Sequence, residues 1–194
     1  MATIQERLDQ IRPQIPSNAT LVVVSKYHTV EEIQEAYDAG VRDFGENRVQ
    51  ELVSKVDKLP EDIRWHLIGS LQRNKVKYIA PFITSIQSIE SLALYDEVER
   101  RAAQHNRTID CLVEVFVAQE ETKSGVSPDA AMDLACQVGE LKHLNLIGLM
   151  TIGLNSPHEG PVRAGYANLR GLAEKIAASG APGTAGCTQL SMGM

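Results

Sequence analysis

The sequence lacks the features that would place it in a membrane or in an oxidising compartment. No apolar run approaches the roughly 20 residues that a helix needs to cross a bilayer. The N-terminal Met-Ala-Thr-Ile-Gln-Glu-Arg has no basic segment followed by an apolar core, so a signal peptide is not expected. The three cysteines are odd in number and far apart, so they form neither a disulfide framework nor a zinc knuckle. We therefore predict a cytoplasmic protein with reduced thiols and no membrane partner.

Motifs for nucleotides, metals and nucleic acid are also missing. No Gly-x-Gly-x-x-Gly follows an apolar run, and segment 69–76, which resembles a P-loop, lacks its second glycine and its magnesium-binding hydroxyl. The five histidines have no metal-ligand spacing, so no metal site is predicted. We interpret His66, beside Trp65, as a packed and hydrogen-bonded histidine rather than a ligand. The net charge of -6 gives no general attraction to nucleic acid.

What the chain does contain is a regular alternation of strand and helix patterns. Its 194 residues suffice for one sizeable domain or two small ones, and no linker or composition shift divides them. Predicted strands cover 20–26, 41–47, 63–69, 82–88, 111–117, 146–152 and 189–194. Predicted helices cover about 4–11, 29–39, 49–56, 71–79, 89–105, 127–141 and 161–178. Such alternation implies a parallel sheet with right-handed crossovers.

Two α/β architectures fit this alternation, a doubly wound sheet and a (β/α)₈ TIM barrel. Polar residues or glycine lie at or just beyond the ends of several predicted strands, namely Lys26, Glu46, Asn47, Gly69, Ser88 and Thr151. Functional groups spread over many strand ends are typical of the barrel, whereas a doubly wound sheet gathers them at one switch point. We predict a single barrel domain over 1–194. Because only seven strands are predicted, the last helix and strand are missing and the barrel is C-terminally incomplete.

Lys26 ends the most apolar of these runs, Thr-Leu-Val-Val-Val-Ser-Lys at 20–26. The run predicts a strand buried on both faces. Burial would lower the pKa of the Lys26 amine, and a neutral lysine is a nucleophile that forms a Schiff base with a carbonyl. The alternative, that Lys26 leaves the strand and reaches solvent, stays open on this segment alone.

Two further polar stretches follow predicted strands. Asn47 could hydrogen-bond a cofactor ring or hold the lysine, or it could cap the following helix. The turn at Ser191, Met192 and Gly193 lies at a late strand end, where barrels commonly bind phosphate through backbone N–H groups and hydroxyls. That turn is a weak signal by itself.

Taken together, several stretches resemble one family along nearly the whole chain. They are Val-Ser-Lys at 24–26, Phe-Gly-Glu-Asn-Arg-Val-Gln-Glu at 44–51, Trp-His-Leu-Ile-Gly-Ser-Leu-Gln-Arg-Asn-Lys at 65–75, Lys-Ser-Gly at 123–125, Gly-Leu-Met-Thr at 148–151 and Leu-Ser-Met-Gly-Met at 190–194. These stretches are similar to the YggS/PROSC family of pyridoxal phosphate (PLP) homeostasis proteins. The resemblance implies a TIM barrel of PLP fold-type III, like the N-terminal domain of alanine racemase.

The same resemblance implies roles for particular residues. Lys26 would carry PLP as a Schiff base, Asn47 would lie beside the ring, and Ser191, Met192 and Gly193 would belong to the phosphate-binding end. Family members have no established catalytic reaction. The resemblance implies that they buffer PLP and help supply it to apo PLP-dependent enzymes, which affects amino- and keto-acid pools. We expect a monomer.

The sequence departs from the family at its end, because members continue past residue 194 with a further helix and strand. We expect that this tail belongs to the native molecule, which intact-mass measurement would settle. An amino-acid racemase of the same fold is the main alternative, yet no obvious second acid/base group accompanies Lys26, and racemisation generally needs two. A pure interaction module with incidental PLP is a third hypothesis.

Overall fold

Seven parallel strands form one sheet, in the order in which they occur along the chain. The computed structural model describes residues 3–116, 124–138 and 141–192. The strands are β1 (Val23–Val24), β2 (Asp43–Glu46), β3 (Arg64–Leu67), β4 (Ser85–Ile89), β5 (Ile109–Glu114), β6 (Leu144–Met150) and β7 (Gln189–Ser191). Sequential order without a reversal is the barrel topology, whereas a doubly wound sheet would reverse at a switch point. The barrel prediction is therefore confirmed as an open α/β half-barrel with seven strands.

Helices connect most successive strands. They are α1 (Ile4–Ile11), α2 (Val30–Asp38), α3 (Val49–Val56), α4 (Val76–Ile79), α5 (Leu92–Gln104), α6 (Pro128–Val138) and α7 (Glu159–Ala177), with 3₁₀ turns at Arg12–Gln14, Arg73–Lys75 and Thr184–Gly186. A capping box starts α2, since the Thr29 hydroxyl accepts from the Glu32 N–H and the Glu32 carboxylate accepts from the Thr29 N–H. Gly40 follows α2 with φ of 90°, a left-handed conformation that glycine adopts without strain.

The elements differ from the predicted ones at three places. Strand β1 has two residues instead of seven, and Val24 is 36% exposed, so the prediction of a strand buried on both faces is wrong. The predicted helix 71–79 is only a 3₁₀ turn followed by α4. On α3 the apolar Val53 is 37% exposed whereas Lys55 is buried, the reverse of what the two residue types predict. The end of predicted strand 111–117 lies outside the described residues.

The two faces of the sheet have different chemistry. Side chains on the outer face pack against the helices in one apolar core, which includes Phe44 and Trp65 with ring centroids 5.8 Å apart. Side chains on the inner face line an open cavity of about 900 Å³, and several of them are polar, including His66, Gln87 and Ser191. The Ser191 hydroxyl donates to Gln87 Oε1 at 2.6 Å, although β4 and β7 are three strands apart. The sheet is therefore strongly curled.

The two outer strands of the sheet are β1 and β7, and within the described part of the chain each pairs with one neighbour only. Every inner strand pairs on both sides, so β1 and β7 carry the free backbone edges. No helix in the described ranges is both long and apolar enough to cross a bilayer.

Candidate functional site at the strand tips

Lys26 lies just beyond β1, at the carboxyl edge of the sheet. The Ser25 N–H donates to the Gly45 carbonyl at 2.9 Å, so the ladder with β2 continues one residue past the strand. Val22 and Val24 line the cavity, and Lys26 follows them at the same alternate spacing, in the turn after the strand. Its side chain is exposed, contrary to the predicted burial, because β1 is an outer strand. The structure therefore presents the Lys26 amine to solvent rather than burying it.

Asn47 follows β2, the strand that pairs with β1. Val24 pairs with Gly45, and Lys26 and Asn47 each come two residues after this pair, so both lie at the tips of adjacent strands. The capping interpretation of Asn47 is wrong, since the N-cap residue of α3 is Arg48 and makes no side-chain cap. The Asn47 Oδ1 atom is buried and has no hydrogen-bond partner within the described residues. A buried acceptor without a partner is costly, so a bound polar group would satisfy it.

Gly69 explains how Asn47 is held in place. A Cβ on Gly69 would collide with the backbone O of Asn47 and lie 2.8 Å from its Cα, so only glycine allows the tips of β2 and β3 to pack this closely. The carbonyl of Gly69 in turn accepts from the Ser88 hydroxyl at 2.7 Å, which ties the tip of β3 to β4. The predicted polar residues Asn47, Gly69 and Ser88 are therefore brought together across adjacent strand tips.

Ser191 ends β7 with its hydroxyl directed into the cavity, where it donates to Gln87. Met192 follows and is 43% exposed, while Gly193 lies outside the described residues. The Thr151 N–H donates to the Ser191 carbonyl at 3.1 Å, and the Thr151 hydroxyl donates to the Val115 carbonyl at 2.7 Å. These bonds join the tips of β5, β6 and β7. The phosphate-binding role of this end remains a prediction.

His66 behaves as a packed histidine, as predicted. Its Nδ1 lies 2.7 Å from Ser85 Oγ and its Nε2 lies 3.0 Å from Asp43 Oδ1. Asp43 also accepts two hydrogen bonds from Arg64, and these donors outweigh burial and lower the pKa of Asp43. No cluster of metal-binding side chains occurs in the part of the chain that the structure describes. Asp43, His66 and Ser85 of this network line the cavity.

Behind the Lys26 turn lies a group of polar and charged side chains, the Lys55 cluster. It consists of the buried Ser25, Glu46 and Lys55 and the partly buried Glu51. Lys55 Nζ donates to Glu46 Oε1 at 2.6 Å, to Glu51 Oε1 at 2.7 Å and to the Ser25 carbonyl at 2.9 Å. Burial opposes the charge of Lys55, but the two carboxylates outweigh it and raise the pKa of Lys55. Burial likewise opposes the charge of Glu51, but hydrogen bonds from Lys55 and the Tyr27 N–H lower the pKa of Glu51.

Glu114 ends β5 on the cavity side, two residues after Leu112, which lines the cavity. It is 3% exposed, and burial, helped by the negative charge of Glu90, raises the pKa of Glu114 to about 7. Gly125, with φ of 109°, packs against the Glu114 carbonyl, where a Cβ would lie 2.9 Å from that oxygen. Folding therefore keeps a titratable carboxyl group at the tip of β5.

Sequence reasoning missed Lys55, Gln87 and Glu114. Lys55 follows Leu52 by three residues, which places it on the apolar face of α3, and it follows Glu51 by four, which places it beside an acidic partner. The sequence therefore indicated an ion pair on the apolar face of this helix. Gln87 and Glu114 lie within runs that read as uniform strands. Only the curl of the sheet shows that they face the cavity.

Comparisons with known proteins agree on the family. A sequence profile described as "Alanine racemase, N-terminal domain" matches residues 1–193. A pyridoxal phosphate homeostasis protein from Schizosaccharomyces pombe is 43% identical over 165 residues, which cover 79% of this chain and 68% of that protein. Another from Aquifex aeolicus is 40% identical over 159 residues, which cover 81% of this chain and 70% of that protein.

Solved structures give the same result for the fold. PipY from Synechococcus elongatus, solved with PLP bound, is 35% identical with a TM-score of 0.91, and the match covers 99% of this chain and 89% of PipY. An alanine racemase from Clostridium difficile has a TM-score of 0.80 at 12% identity, covering 95% of this chain and 48% of the racemase, so it supports the fold alone. On this evidence the chain belongs to the family of pyridoxal phosphate homeostasis proteins, which has the fold of the alanine racemase N-terminal domain.

Proposed function

We propose that this protein binds PLP covalently through Lys26 and takes part in PLP homeostasis. The observation that carries the proposal is that Lys26 and Asn47 lie at the tips of two adjacent strands, each two residues after the paired residues Val24 and Gly45. The buried Asn47 Oδ1 lacks a partner within the described residues. Membership of a family named for PLP homeostasis and the PLP-bound structure of PipY support it.

The residues at the strand tips fit this cofactor. PLP supplies an aldehyde, which a lysine amine attacks with loss of one water molecule, so that a C=N bond replaces the C=O bond. Lys26 would provide the amine, and the Asn47 amide would meet the polar edge of the ring. Ser191, Met192 and Gly193 would hold the phosphate, with Ser191 exchanging its bond to Gln87 for one to a phosphate oxygen.

We further propose that the protein acts as a carrier rather than an enzyme. Enzymes generally exclude water from the reacting centre, which strengthens the electrostatic interactions there. Lys26 is exposed, so the bond to PLP would be open to hydrolysis and to attack by other amines. That accessibility suits a protein that must release its ligand. Delivery to apo PLP-dependent enzymes, a cytoplasmic location and a monomeric state are parts of the same proposal.

The test is uptake of PLP by the native chain, by Lys26→Ala and by Lys58→Ala. Lys58 is exposed and lies after α3, so its loss controls for the removal of a lysine. We expect a yellow absorbance band for the native chain and Lys58→Ala, and none for Lys26→Ala. Equal bands in all three proteins would contradict the proposal.

The carrier role needs a separate assay. We expect racemisation of a panel of amino acids by the loaded protein to be no faster than with free PLP, because PLP itself carries most of the chemistry. Turnover well above that of free PLP would show that the protein is an enzyme.

A further inference from the structure

The Lys55 cluster holds both peptide units that flank Lys26. On one side, Lys55 Nζ donates to the Ser25 carbonyl at 2.9 Å, and the Ser25 hydroxyl donates to Glu46 Oε1 at 2.8 Å. On the other side, the Tyr27 N–H donates to Glu51 Oε1 at 2.6 Å. Lys55 also donates to both carboxylates. One ammonium group therefore connects the residues before and after Lys26.

The Tyr27 backbone requires such support, because its φ is 66°. Left-handed conformations are rare for residues other than glycine, and they persist where the surroundings impose them. The Tyr27 side chain is 75% exposed, so packing of the ring does not impose this conformation. The bond from its N–H to Glu51, together with the His28 N–H to Ser25 carbonyl bond of 3.1 Å, defines the turn.

The charged side chains of the cluster depend on one another for their partners. The side chains of Lys55 and Glu46 are 7% and 0% exposed, and all three ammonium protons of Lys55 are used. Removing the cation would leave two carboxylates close together without their shared partner, one of them fully buried. Breaking a buried pair in this way is strongly destabilising, so the side chains would rearrange or take up water. The Lys26 turn, which is bonded to them, would then lose its fixed geometry.

We propose that Lys55 is a positioning residue for the PLP-binding lysine: through Glu51 and Ser25 it holds the strained turn that presents the Lys26 amine. This inference rests on the proposed function of Lys26. Lys55 itself belongs to α3, on the helix side of the sheet, and its side chain is bonded to Ser25, Glu46 and Glu51. Its effect on PLP is therefore indirect, through the conformation of residues 25–27.

The first experiment compares Lys55→Met with Lys58→Met, which makes the same chemical change at an exposed position. We expect Lys55→Met to weaken PLP affinity by about tenfold or more, which corresponds to about 1.4 kcal/mol. In the protein without PLP, amide exchange of Tyr27 should become about tenfold faster. Lys58→Met should change neither. Native affinity and native Tyr27 exchange in folded Lys55→Met would overturn the inference.

A second pair of variants avoids the risk that Lys55→Met fails to fold. The Glu51 side chain is 21% exposed, so Glu51→Ala leaves no large buried defect. We expect Glu51→Ala to weaken PLP affinity about fivefold in the native background, but less than about twofold in Tyr27→Gly, because glycine adopts positive φ without support. Rescue by Tyr27→Gly would show that Glu51 acts through the turn. An equal loss in both backgrounds, or no loss in either, would overturn the inference.

Failure of the proposed function is distinguishable from failure of this inference. If the native chain takes up no PLP, the proposed function fails. The exchange rate of the Tyr27 amide in the absence of PLP still decides whether Lys55 holds the turn. If the native chain binds PLP and the Tyr27 amide exchanges at the same rate in Lys55→Met, only the positioning role fails.

Discussion

At the scale of single residues, Glu114 carries a carboxyl group that folding keeps protonated. Its folded pKa is about 7, against an ordinary value of 4.5, and burial is the main cause. Folding therefore favours the protonated form, and the native chain loses stability as the pH rises from 4.5 to about 7. Below this window Glu114 is protonated in both states and contributes no pH dependence.

Glu114→Gln should remove this dependence, because a neutral amide of the same shape replaces the carboxyl group. We expect the variant to gain roughly 2 to 3 kcal/mol relative to the native chain between pH 5 and pH 8. Urea unfolding of both proteins across this pH range measures the difference in their unfolding free energies. The other titrating groups contribute equally to both proteins and cancel in this difference. A difference in unfolding free energy that does not change with pH would contradict the raised pKa of Glu114.

Gly69 is a second residue whose close contacts lead to a specific prediction for stability and PLP binding. Gly69→Ala places a methyl group against the backbone of Asn47, which should destabilise the fold by about 1 to 3 kcal/mol. The shift of Asn47 should also weaken PLP binding. Gly171→Ala is the matched control, since no atom lies within 4 Å of a Cβ there and alanine favours a helix by about 0.5 to 1 kcal/mol.

Thermal unfolding and PLP titration of the two variants check this prediction. A Gly69→Ala protein with native stability and native PLP affinity would show that the tips of β2 and β3 do not need their close approach.

At the scale of elements, we expect the N-cap of α2 to affect both the stability of the protein and its uptake of PLP. Thr29 caps α2 three residues after Lys26, and Thr3 caps α1, which precedes β1, with the same capping box. We expect Thr29→Ala and Thr3→Ala each to cost about 1 kcal/mol of stability. Only Thr29→Ala should slow PLP uptake, because the start of α2 anchors the turn after Lys26. Equal uptake by the two variants would argue against this coupling.

Most elements could be predicted because their signals are local. The capping box at Thr29, Gly40 after α2 and proline at the start of α6 mark helix ends through the backbone geometry of a few neighbouring residues. The short length of β1 could not be predicted from its apolar run. Its burial depends on whether another strand covers its outer side, which is a property of the sheet and not of the segment.

At the scale of the whole molecule, strand order places distant residues at one edge of the sheet. Parallel strands joined by crossovers bring their carboxyl ends together, which is why Lys26 and Asn47 could be predicted at the same edge of the sheet. The bonds from Lys55 to Glu46 and to the Ser25 carbonyl, and the Gln87–Ser191 bond, could not be predicted, since they depend on helix packing and on the curl of the sheet. The expected burial of Lys26 was wrong for the same reason as that of β1.

The central claim is that one amine, that of Lys26, captures PLP. The most direct measurement is to load the native protein with PLP, reduce the C=N bond with borohydride and map the modified peptide by mass spectrometry. We predict one modification per chain, at Lys26, with Lys55 and Lys58 unmodified. Modification spread over several exposed lysines, or absent from Lys26, would contradict the account.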